Sequence, residues 1–345
     1  MQKTAVQTVA KKRGWLTGKF SPLHLGHINF IQNAATQVDE LVVVVSHNGN
    51  RFADPRLELK NRVLWLRQQF VDLPHIRIEW IDETNIPEYP NGWQAWSDLI
   101  KGRIGTNFAR IFTSEVGDYA NYQKYFPHQE VVLVDPKRIG INISATEIRV
   151  NPLAAWSFMP SVSRQQFLRR VCLVGQESSG KTTMTKYLAK RFGTSWVEEY
   201  GRTYCERDLC GDEFLLRFQD YGVIAARRYE QEQEAARSAN QVLFVDTNAA
   251  VTNYFCRLYE GRCNPLVTEY EKLERYDLVI FLEADVPWVD DGLRRNPHSE
   301  HNKQLQLEQL RANYNGELPL VFVQGNYHER LQKCIALVEN LLAKG

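Results

Sequence analysis

Residues 175–182 form the stretch whose residue types and spacing could most directly do chemistry. They read GQESSGKT and fit the phosphate-binding pattern G-x-x-x-x-G-K-[ST], between an apolar run at 171–174 and a helical pattern at 186–192. Glycines at both ends let backbone N–H groups turn towards a triphosphate, while Lys181 supplies a cation and the Thr182 hydroxyl is a ligand for Mg²⁺. The pattern predicts a nucleotide site, and its alternative is a Gly/Ser-rich turn that happens to carry a lysine. Besides Lys181, the predicted nucleotide-binding residues are Gly175, Gln176, Glu177, Ser178, Ser179, Gly180, Thr182 and Thr183.

A carboxylate that could serve the same site ends a later apolar run. Asp246 directly follows residues 242–245, which read VLFV. At the end of a buried strand beside a phosphate loop, an aspartate can hold Mg²⁺ directly or through water. The alternative is an aspartate that begins a turn with Thr247 and Asn248. We predict Thr182 and Asp246 as the metal ligands.

A second polar cluster lies near the start of the chain, where residues 18–27 read GKFSPLHLGH. His24 and His27 are three positions apart at a predicted helix start and therefore face the same way. A helix start offers unpaired N–H groups and a partial positive charge, so imidazoles there can donate to phosphate oxygens, while Gly18 and Gly26 allow close approach. A metal-binding pair is the alternative, although no carboxylate or third histidine lies nearby in sequence.

The segment 143–149, ISATEIR, carries the pattern of a helix start. Ser144 is a plausible N-cap with Glu147 at the third helical position, which is a capping box. Helix capping alone would explain this pair. We expect Arg149 to project from the first turns of that helix, where it can reach a phosphate.

Alternating strands and helices must position these residues. Strands are predicted at 15–20, 40–46, 76–81, 109–113 and 130–134, and again at 171–175, 195–198, 242–245, 278–282 and 319–323, with helices between them, including 24–37, 55–70, 93–104, 213–238 and 330–344. This alternation predicts an α/β fold of two parallel-sheet domains whose functional loops lie at the carboxyl ends of the strands. We expect domains at 1–150 and 168–345, with a packed aromatic connection at 151–167.

Composition restricts the class of protein. The chain has 345 residues, 43% hydrophobic and 24% charged, and its net charge of +1 gives no bulk field that favours nucleic acid or a membrane surface. No apolar run is long enough to span a bilayer, and the first residues lack the apolar region of a secretory signal. The 6 cysteines form no C-x-x-C pair. We therefore expect a cytoplasmic protein without a disulfide scaffold.

The two motifs of the first half resemble the signatures of the nucleotidyltransferase superfamily, G-x-F-x-P-x-H-x-G-H and I-S-x-T-x-x-R, in the expected order. This resemblance implies a Rossmann-like domain that transfers an adenylyl group from ATP to a phosphorylated substrate and releases pyrophosphate, with no covalent intermediate. It places the catalytic residues Lys19, His24, His27 and Arg149 around the triphosphate. The nucleotide-binding residues that it adds are Gly18, Phe20, Ser21, Ile143 and Ser144.

From about residue 14 to the end, the chain resembles the NadR family, in which a nicotinamide-nucleotide (NMN) adenylyltransferase is fused to a P-loop ribosylnicotinamide kinase. The resemblance implies ATP, NMN, nicotinamide riboside and NAD as ligands, with Mg²⁺. An indole face can stack on a flat cationic ring, and the resemblance places the nicotinamide end at Asn91, Trp93 and Trp96; the alternative for each tryptophan is a core-facing helix start. Nucleotide contacts are also implied for Arg51, Ser114 and Glu115.

The kinase half then gains further candidates. In nucleoside-kinase-like folds the position after the second strand offers a carboxylate to the substrate hydroxyls. This implies Glu199 next to the ribose 5′-hydroxyl, with Tyr200 and Arg202 also at the substrate, or Glu198 in place of Glu199 if the strand register slips by one. Segment 288–295 resembles a kinase lid, in which Arg294 could neutralise the transferring phosphoryl group.

Many members of the family begin with a helix-turn-helix DNA-binding domain, whereas here the adenylyltransferase signature begins at residue 18. We therefore expect no sequence-specific nucleic-acid partner, and the sequence leaves a homo-oligomer open. Two other functions compete. One is a coenzyme A synthase-like fusion of phosphopantetheine adenylyltransferase with dephospho-CoA kinase, against which the GKFSP motif and the tryptophans argue. The other is an NAD- or ATP-sensing regulatory protein with weak catalysis, which the complete phosphate motifs disfavour.

Overall fold

The structure is a computed structural model that describes residues 11–49, 54–88, 90–137, 139–285, 299–312 and 319–344. These residues form two compact units, which divide between Gln166 and Phe167. Among the described residues, no helix is long and apolar enough to cross a membrane.

The first unit contains five strands and six α-helices in its described part. The strands are β1 (Arg13–Gly18), β2 (Glu40–His47), β3 (Ile76–Asp82), β4 (Arg110–Thr113) and β5 (Glu130–Leu133). The helices are α1 (Leu25–Ala35), α2 (Leu59–Gln69), α3 (Trp93–Ile104), α4 (Tyr119–Tyr125), α5 (Ala145–Val150) and α6 (Ser161–Arg164), with short 3₁₀ turns at Pro55–Leu57, Val116–Asp118, Trp156–Phe158 and Gln165–Phe167.

All five strands pair in parallel, in the order β3-β2-β1-β4-β5. The β-branched run of β2 is buried along most of its length, as expected for a strand covered on both faces. β1 lies between β2 and β4, so the chain changes direction across the sheet after β3. In such sheets the crevice outside the carboxyl ends of the central strands is the usual ligand site, here next to Gly18 and Thr113.

The connection after α5 packs on the first unit. Trp156 and Met159 are buried, and the Ser163 hydroxyl donates to the Leu23 carbonyl at 3.0 Å. The segment 151–166 therefore continues the first unit's packing.

The second unit is also built of alternating strands and helices, whose lengths differ from those of the first unit. Its strands are β6 (Arg169–Gly175), β7 (Trp196–Val197), β8 (Val242–Asp246), β9 (Leu278–Leu282) and β10 (Leu320–Val323). Its helices are α7 (Lys181–Phe192), α8 (Tyr200–Asp208), α9 (Phe218–Ser238), α10 (Ala249–Glu260), α11 (Pro265–Leu273), α12 (Glu300–Ala312) and α13 (Tyr327–Ala343), with a 3₁₀ turn at Glu213–Leu215.

This second sheet is also parallel, in the order β10-β9-β6-β8-β7. β6 is the central strand and leads directly into the loop 175–180, while its neighbour β8 ends in Asp246. The predicted fold class, two parallel α/β domains, is confirmed.

The second unit departs from the sequence prediction between its strands. The helix predicted at 213–238 is a 3₁₀ turn followed by α9, because residues 216 and 217 are extended and the Arg217 N–H donates to the Asp220 carboxylate at 2.8 Å. Helices α8, α10, α11 and α12 have no counterpart among the predicted elements. Asn248, considered above as part of a turn, caps α10 by accepting from the Val251 N–H at 3.0 Å.

Candidate active sites

The first unit holds a large open pocket at the carboxyl ends of its strands, which we call the N-terminal pocket. Its wall is formed by residues at or just after four strands, namely Gly18, Ser46, Glu83 and Thr113, together with the segment that leads into α5. The predicted site residues that line it are Gly18, Lys19, Phe20, His24, His27, Trp93, Trp96, Ser114, Glu115, Ile143 and Ser144.

The two histidines lie together at the start of α1. His24 is its N-cap, and the His24 Nδ1 accepts from the His27 backbone N–H at 3.3 Å, which in the neutral ring leaves Nε2 as the donor. The two rings stack with centroids 3.5 Å apart, and the His27 ring meets the edge of Phe20 at 5.0 Å. A Cβ on Gly18 would lie 2.8 Å from the Phe20 ring, so glycine is required for this packing.

The segment after β5 caps the start of helix α5. Ser144 and Glu147 form the predicted capping box, and the Ser144 hydroxyl also donates to the Glu147 carboxylate at 2.6 Å. The Ser144 hydroxyl can donate to a phosphate only if its hydrogen bond to the Glu147 carboxylate breaks. Arg149 does not line the pocket: it donates to the Ser21 carbonyl at 2.5 Å and to the Thr146 hydroxyl at 2.8 Å. Arg149 thus holds the backbone of the loop, and its contact with a phosphate stays a prediction.

Trp93 and Trp96 are both core and pocket residues. They contact each other edge to face at 5.1 Å, and Trp96 packs against the buried Trp15 at 6.3 Å. Both also line the pocket with Tyr122. The core packing is therefore present and both rings are also accessible from the pocket, while a contact with the nicotinamide end stays a prediction. Asn91 is exposed and does not line the pocket.

Carboxylates form a feature of this pocket that sequence analysis largely missed. The acidic lining residues are Glu83, Glu88, Glu115, Asp118 and Asp135, of which only Glu115 was predicted. Burial raises the pKa of Asp118, and the negative charge of Glu115 raises it further. Because Asp118 ends a short 3₁₀ turn just before α4, with no motif around it, the sequence gives no signal for it. The charge of Asp118 acts on the phenol of Tyr122, whose ring contacts both Trp93 and Trp96, so one pocket combines the Lys19–His27 loop with an acidic group near the tryptophans.

In the second unit the loop after β6 has the backbone of an anion cradle. Gly175 and Gly180 have φ values of 144° and 86°, and Ser178 has φ 56°. A Cβ on Gly175 would lie 2.4 Å from the Leu282 carbonyl oxygen. Lys181 is buried, and its ammonium donates to the Gln176 carbonyl at 3.1 Å. The Lys181 ammonium is thus bonded to the same loop whose N–H groups would bind a phosphate.

Thr182 and Asp246 form the group that could hold a divalent metal. The Thr182 hydroxyl donates to the Asp246 Oδ2 at 2.5 Å, and Asp246 is fully buried. The Asp246 Oδ1 is buried with no hydrogen-bond partner among the described residues. Burial raises the pKa of Asp246 to about 7; Glu199 adds to this rise, while Lys181, the Thr182 hydroxyl and Arg202 oppose it. A hard cation would satisfy both the charge and the unmatched oxygen.

The Thr182–Asp246 group suits Mg²⁺ better than a metal that is fully coordinated by protein. In the part of the chain that the structure describes, no cluster of three or more His, Cys, Asp or Glu could hold a metal ion. Mg²⁺ usually binds through one or two protein oxygens and takes its other ligands from phosphates and water. The residues present therefore fit this ion.

A second cavity, which we call the C-terminal pocket, lies beside the loop. The predicted residues that line it are Glu177, Lys181, Glu199 and Arg202. Apolar and aromatic side chains, among them Ile224, Tyr221, Phe255 and Tyr259, form the rest of its wall. Cys205 also lines it, and burial raises the pKa of the Cys205 thiol to about 12, so it stays a neutral thiol.

The structure separates the two candidate glutamates. Glu199 is the N-cap of α8 and lines the C-terminal pocket. The Glu198 carboxylate is instead hydrogen-bonded within the protein: it accepts from the Thr203 hydroxyl at 3.1 Å and from the Gln231 side chain at 3.5 Å. Tyr200 is buried and does not line the pocket, and its hydroxyl accepts from Arg207 at 3.0 Å.

The remaining predicted residues fall into two groups. Gly175, Gln176, Ser178, Ser179, Gly180, Thr182 and Thr183 belong to the loop and the first turn of α7 and do not line the C-terminal pocket. Ser21 is a buried residue of the first loop, and its carbonyl is held by Arg149. Arg51 and Arg294 lie outside the described residues.

Comparisons with known proteins agree with this two-site layout. A cytidylyltransferase-like family model matches residues 15–151, and an AAA domain model matches residues 170–330. The chain is 38% identical over 349 aligned residues to the trifunctional NAD biosynthesis/regulator protein NadR of Salmonella typhimurium strain LT2, covering 97% of this chain and 84% of that protein.

Two crystal structures of NadR proteins resemble the chain over its length. One is a complex with NAD and AMP-PNP, with a TM-score of 0.83, and the other is a complex with NR, with a TM-score of 0.84. Each is 28% identical to this chain, and each match covers 96% of both chains. With these similarities over nearly its full length, the chain belongs to the NadR family.

Proposed function

We propose that this chain is a bifunctional enzyme of NAD biosynthesis. The second unit transfers a phosphoryl group from ATP to the 5′-hydroxyl of nicotinamide riboside, which gives NMN and ADP. The first unit transfers the adenylyl group of a second ATP to the NMN phosphate, which gives NAD⁺ and pyrophosphate. The product of the second unit is thus the acceptor of the first.

One observation carries this proposal: a single chain holds two separate pockets, each beside a phosphate loop that follows a central parallel strand. Gly18 ends β1 and Gly175 ends β6. The first loop leads to two stacked imidazoles near a tryptophan wall, and the second to a buried lysine beside a Thr–Asp pair. A phosphorylated nicotinamide nucleotide links the chemistry of the two pockets.

In adenylyl transfer the NMN phosphate oxygen forms a bond to the α-phosphorus of ATP while the bond from that phosphorus to the bridging oxygen of the leaving pyrophosphate breaks. No covalent enzyme intermediate is needed, so the residues position the reactants and neutralise charge. The imidazole N–H groups of His24 and His27 donate to phosphate oxygens. The Lys19 ammonium offsets charge that develops on the leaving group.

Recognition of NMN uses both walls of the N-terminal pocket. Its pyridinium ring is flat and cationic, so the faces of Trp93 and Trp96 attract it by roughly 0.5–2 kcal/mol. Asp118 adds a negative charge near this wall, and the basic loop takes the phosphate. The positive pyridinium and the negative phosphate of NMN thus each meet protein groups of opposite charge, at opposite ends of the ligand.

In the kinase step Glu199 accepts a hydrogen bond from the ribose 5′-hydroxyl and takes its proton as that oxygen bonds to the γ-phosphorus. The bond from this phosphorus to the β,γ-bridging oxygen breaks, and ADP leaves. Lys181 leaves its loop carbonyl and binds the outer phosphates, and Arg202 holds the substrate beside Glu199. The apolar and aromatic wall excludes water, which would otherwise compete as acceptor.

We propose Mg²⁺ as the metal of this site, held by the Thr182 hydroxyl and by Asp246, directly or through water. When bound, the ion neutralises charge on the ATP phosphates. Thr182 and Asp246 would hold this ion in place of their mutual hydrogen bond, and it would satisfy the unmatched Asp246 Oδ1.

Incubation of the enzyme with nicotinamide riboside and Mg-ATP tests the proposed function. We expect NMN, then NAD⁺, with ADP and pyrophosphate formed in equal amounts once the reaction is complete. Phosphopantetheine, offered with ATP as the control acceptor, should release no pyrophosphate. If phosphopantetheine is adenylylated and NMN is not, the coenzyme A synthase alternative replaces this proposal.

Exchange of Glu199 for glutamine tests the kinase base. Glu199→Gln should lower kcat for NMN formation about 10²-fold, because the amide cannot take the hydroxyl proton. Glu198→Gln is the matched control, since Glu198 is bonded to Thr203 and Gln231 and should change kcat by no more than about threefold. A larger loss from Glu198→Gln than from Glu199→Gln would reverse the assignment.

Replacement of Asp118 by asparagine tests the role of this carboxylate in the N-terminal pocket. We expect two opposite effects, a more stable protein and weaker recognition of NMN. The raised pKa of Asp118 means that the folded state binds this proton more tightly than the unfolded chain, so its charged form lowers stability as the pH rises above 3.8. Asp118→Asn should therefore raise Tm at neutral pH, by ~1–3 °C. This gain should shrink as the pH falls through the raised pKa.

The same variant should weaken NMN recognition, with KM for NMN rising about tenfold because a charge opposite the pyridinium is lost. Reduced NMN, whose ring is neutral, is the control substrate, and its KM should change little. The exposed Asp72→Asn is the matched control variant. Equal effects of Asp118→Asn on NMN and reduced NMN would show that Asp118 does not sense the ring's charge.

A further inference from the structure

Arg62, on α2, is a buried cation that neither motif of the first unit includes. Its side chain is 1% exposed, which places it among the largest fully buried side chains. Buried arginines commonly pair with carboxylates, but the hydrogen bonds of Arg62 go to three backbone carbonyls and one imidazole. Burial lowers the pKa of Arg62 from its ordinary 12.5, Glu83 raises it, and the guanidinium remains charged at neutral pH.

These bonds fasten the carboxyl ends of two strands to each other. Nη1 donates to the Lys19 carbonyl at 2.6 Å, just after β1, and to the Ser46 carbonyl at 2.9 Å, near the end of β2. Nε donates to the Leu57 carbonyl at 2.8 Å, and Nη2 lies 2.8 Å from the His47 Nδ1. A planar fork with five N–H groups can make all these bonds at once, whereas an ammonium cannot.

The bond to Lys19 fixes a peptide of the phosphate loop. In a trans peptide the C=O and N–H point in opposite directions, so with the Lys19 carbonyl directed at Arg62, the Phe20 N–H points away from it. Phe20 has φ 51°, a left-handed conformation that costs a non-glycine residue on the order of 1 kcal/mol and persists only where the surroundings impose it. Arg149 adds a second constraint by holding the Ser21 carbonyl.

We propose that Arg62 is a positioning residue for adenylyl transfer, which sets the Lys19–Phe20 peptide and the adjoining Lys19 side chain for the triphosphate. The inference rests on the proposed function of the N-terminal pocket. Arg62 does not line that pocket, so it acts through the loop and not on the substrate. Because Phe20 follows Lys19 in the chain and its ring contacts the His27 ring, a shift of this peptide displaces the donors on both sides of it.

The test compares Arg62→Lys and Arg62→Met with the exposed Arg67→Lys on the same helix. Relative to wild type, kcat for NAD⁺ formation from NMN and ATP should fall about tenfold in Arg62→Lys and about 10²-fold in Arg62→Met. KM for NMN and the kinase rate of the same preparations should stay within about twofold of wild type. The rise in Tm that a non-hydrolysable ATP analogue produces in the first unit should be smaller in both variants than in Arg67→Lys.

A purely structural Arg62 would lower Tm but leave kcat per folded enzyme and the analogue's effect unchanged, and this result would overturn the inference. If Arg62→Met fails to fold, Arg62→Lys decides the question, because it keeps the charge and most of the volume. A wild-type enzyme that makes no NAD⁺ from NMN would instead contradict the proposed function, and Arg62 would then be judged by the effect of the ATP analogue alone.

Discussion

Replacement of Lys181 by alanine is expected to lower kcat for NMN formation about 10³-fold while adenylyl transfer by the same chain continues. Lys181 is the buried cation of the second loop, and its ammonium already lies 3.1 Å from the Gln176 carbonyl of that loop. Without it, the charge on the transferring phosphoryl group loses a buried protein cation. Alanine favours the helix, so α7 should still form.

The measurement follows ADP formation with nicotinamide riboside and pyrophosphate formation with NMN on one preparation. Lys190→Ala is the matched control, because Lys190 is exposed near the end of the same helix. That variant should keep both rates within about twofold of wild type. A parallel loss of both activities in folded Lys181→Ala would contradict two independent sites.

Much of the fold could be predicted because local patterns encode it. The β-branched run at 40–46 favours a strand buried on both faces, and the phosphate loop marks the junction of β6 with α7. The strand order could not be predicted, since it depends on contacts between residues far apart in sequence. Helix α10 was missed although its cap, Asn248, and a strongly one-sided apolar pattern were available signals.

Among the residues of the candidate sites, too, some could be predicted from the sequence and others could not. His24, His27 and Lys181 carry motif signals, and the structure places all three at pockets. Arg62 carries none, because its partners are three backbone carbonyls and the His47 imidazole, which lie in separate segments, and no motif surrounds it in α2. Which of Glu198 and Glu199 lines the C-terminal pocket also needed coordinates, since β7 spans only Trp196–Val197 and gives no register signal.

Replacement of His27 by alanine is the counterpart of the lysine experiment and should lower kcat for NAD⁺ formation by about 10²–10³-fold. The His27 ring lies between His24, 3.5 Å away, and Phe20, 5.0 Å away, measured between ring centroids. Alanine removes a phosphate donor and also the ring against which His24 stacks. The loss should therefore exceed that of one isolated hydrogen bond.

His27→Asn separates these two roles, because an amide still donates but cannot stack as the ring does. We expect it to recover part of kcat, while the kinase rate of both variants stays near wild type. His128→Ala is the matched control, since His128 is an exposed histidine of the same unit. Equal kcat values for His27→Ala and wild type, measured with saturating ATP and NMN, would remove His27 from the catalytic group and leave Lys19 and His24 as its donors.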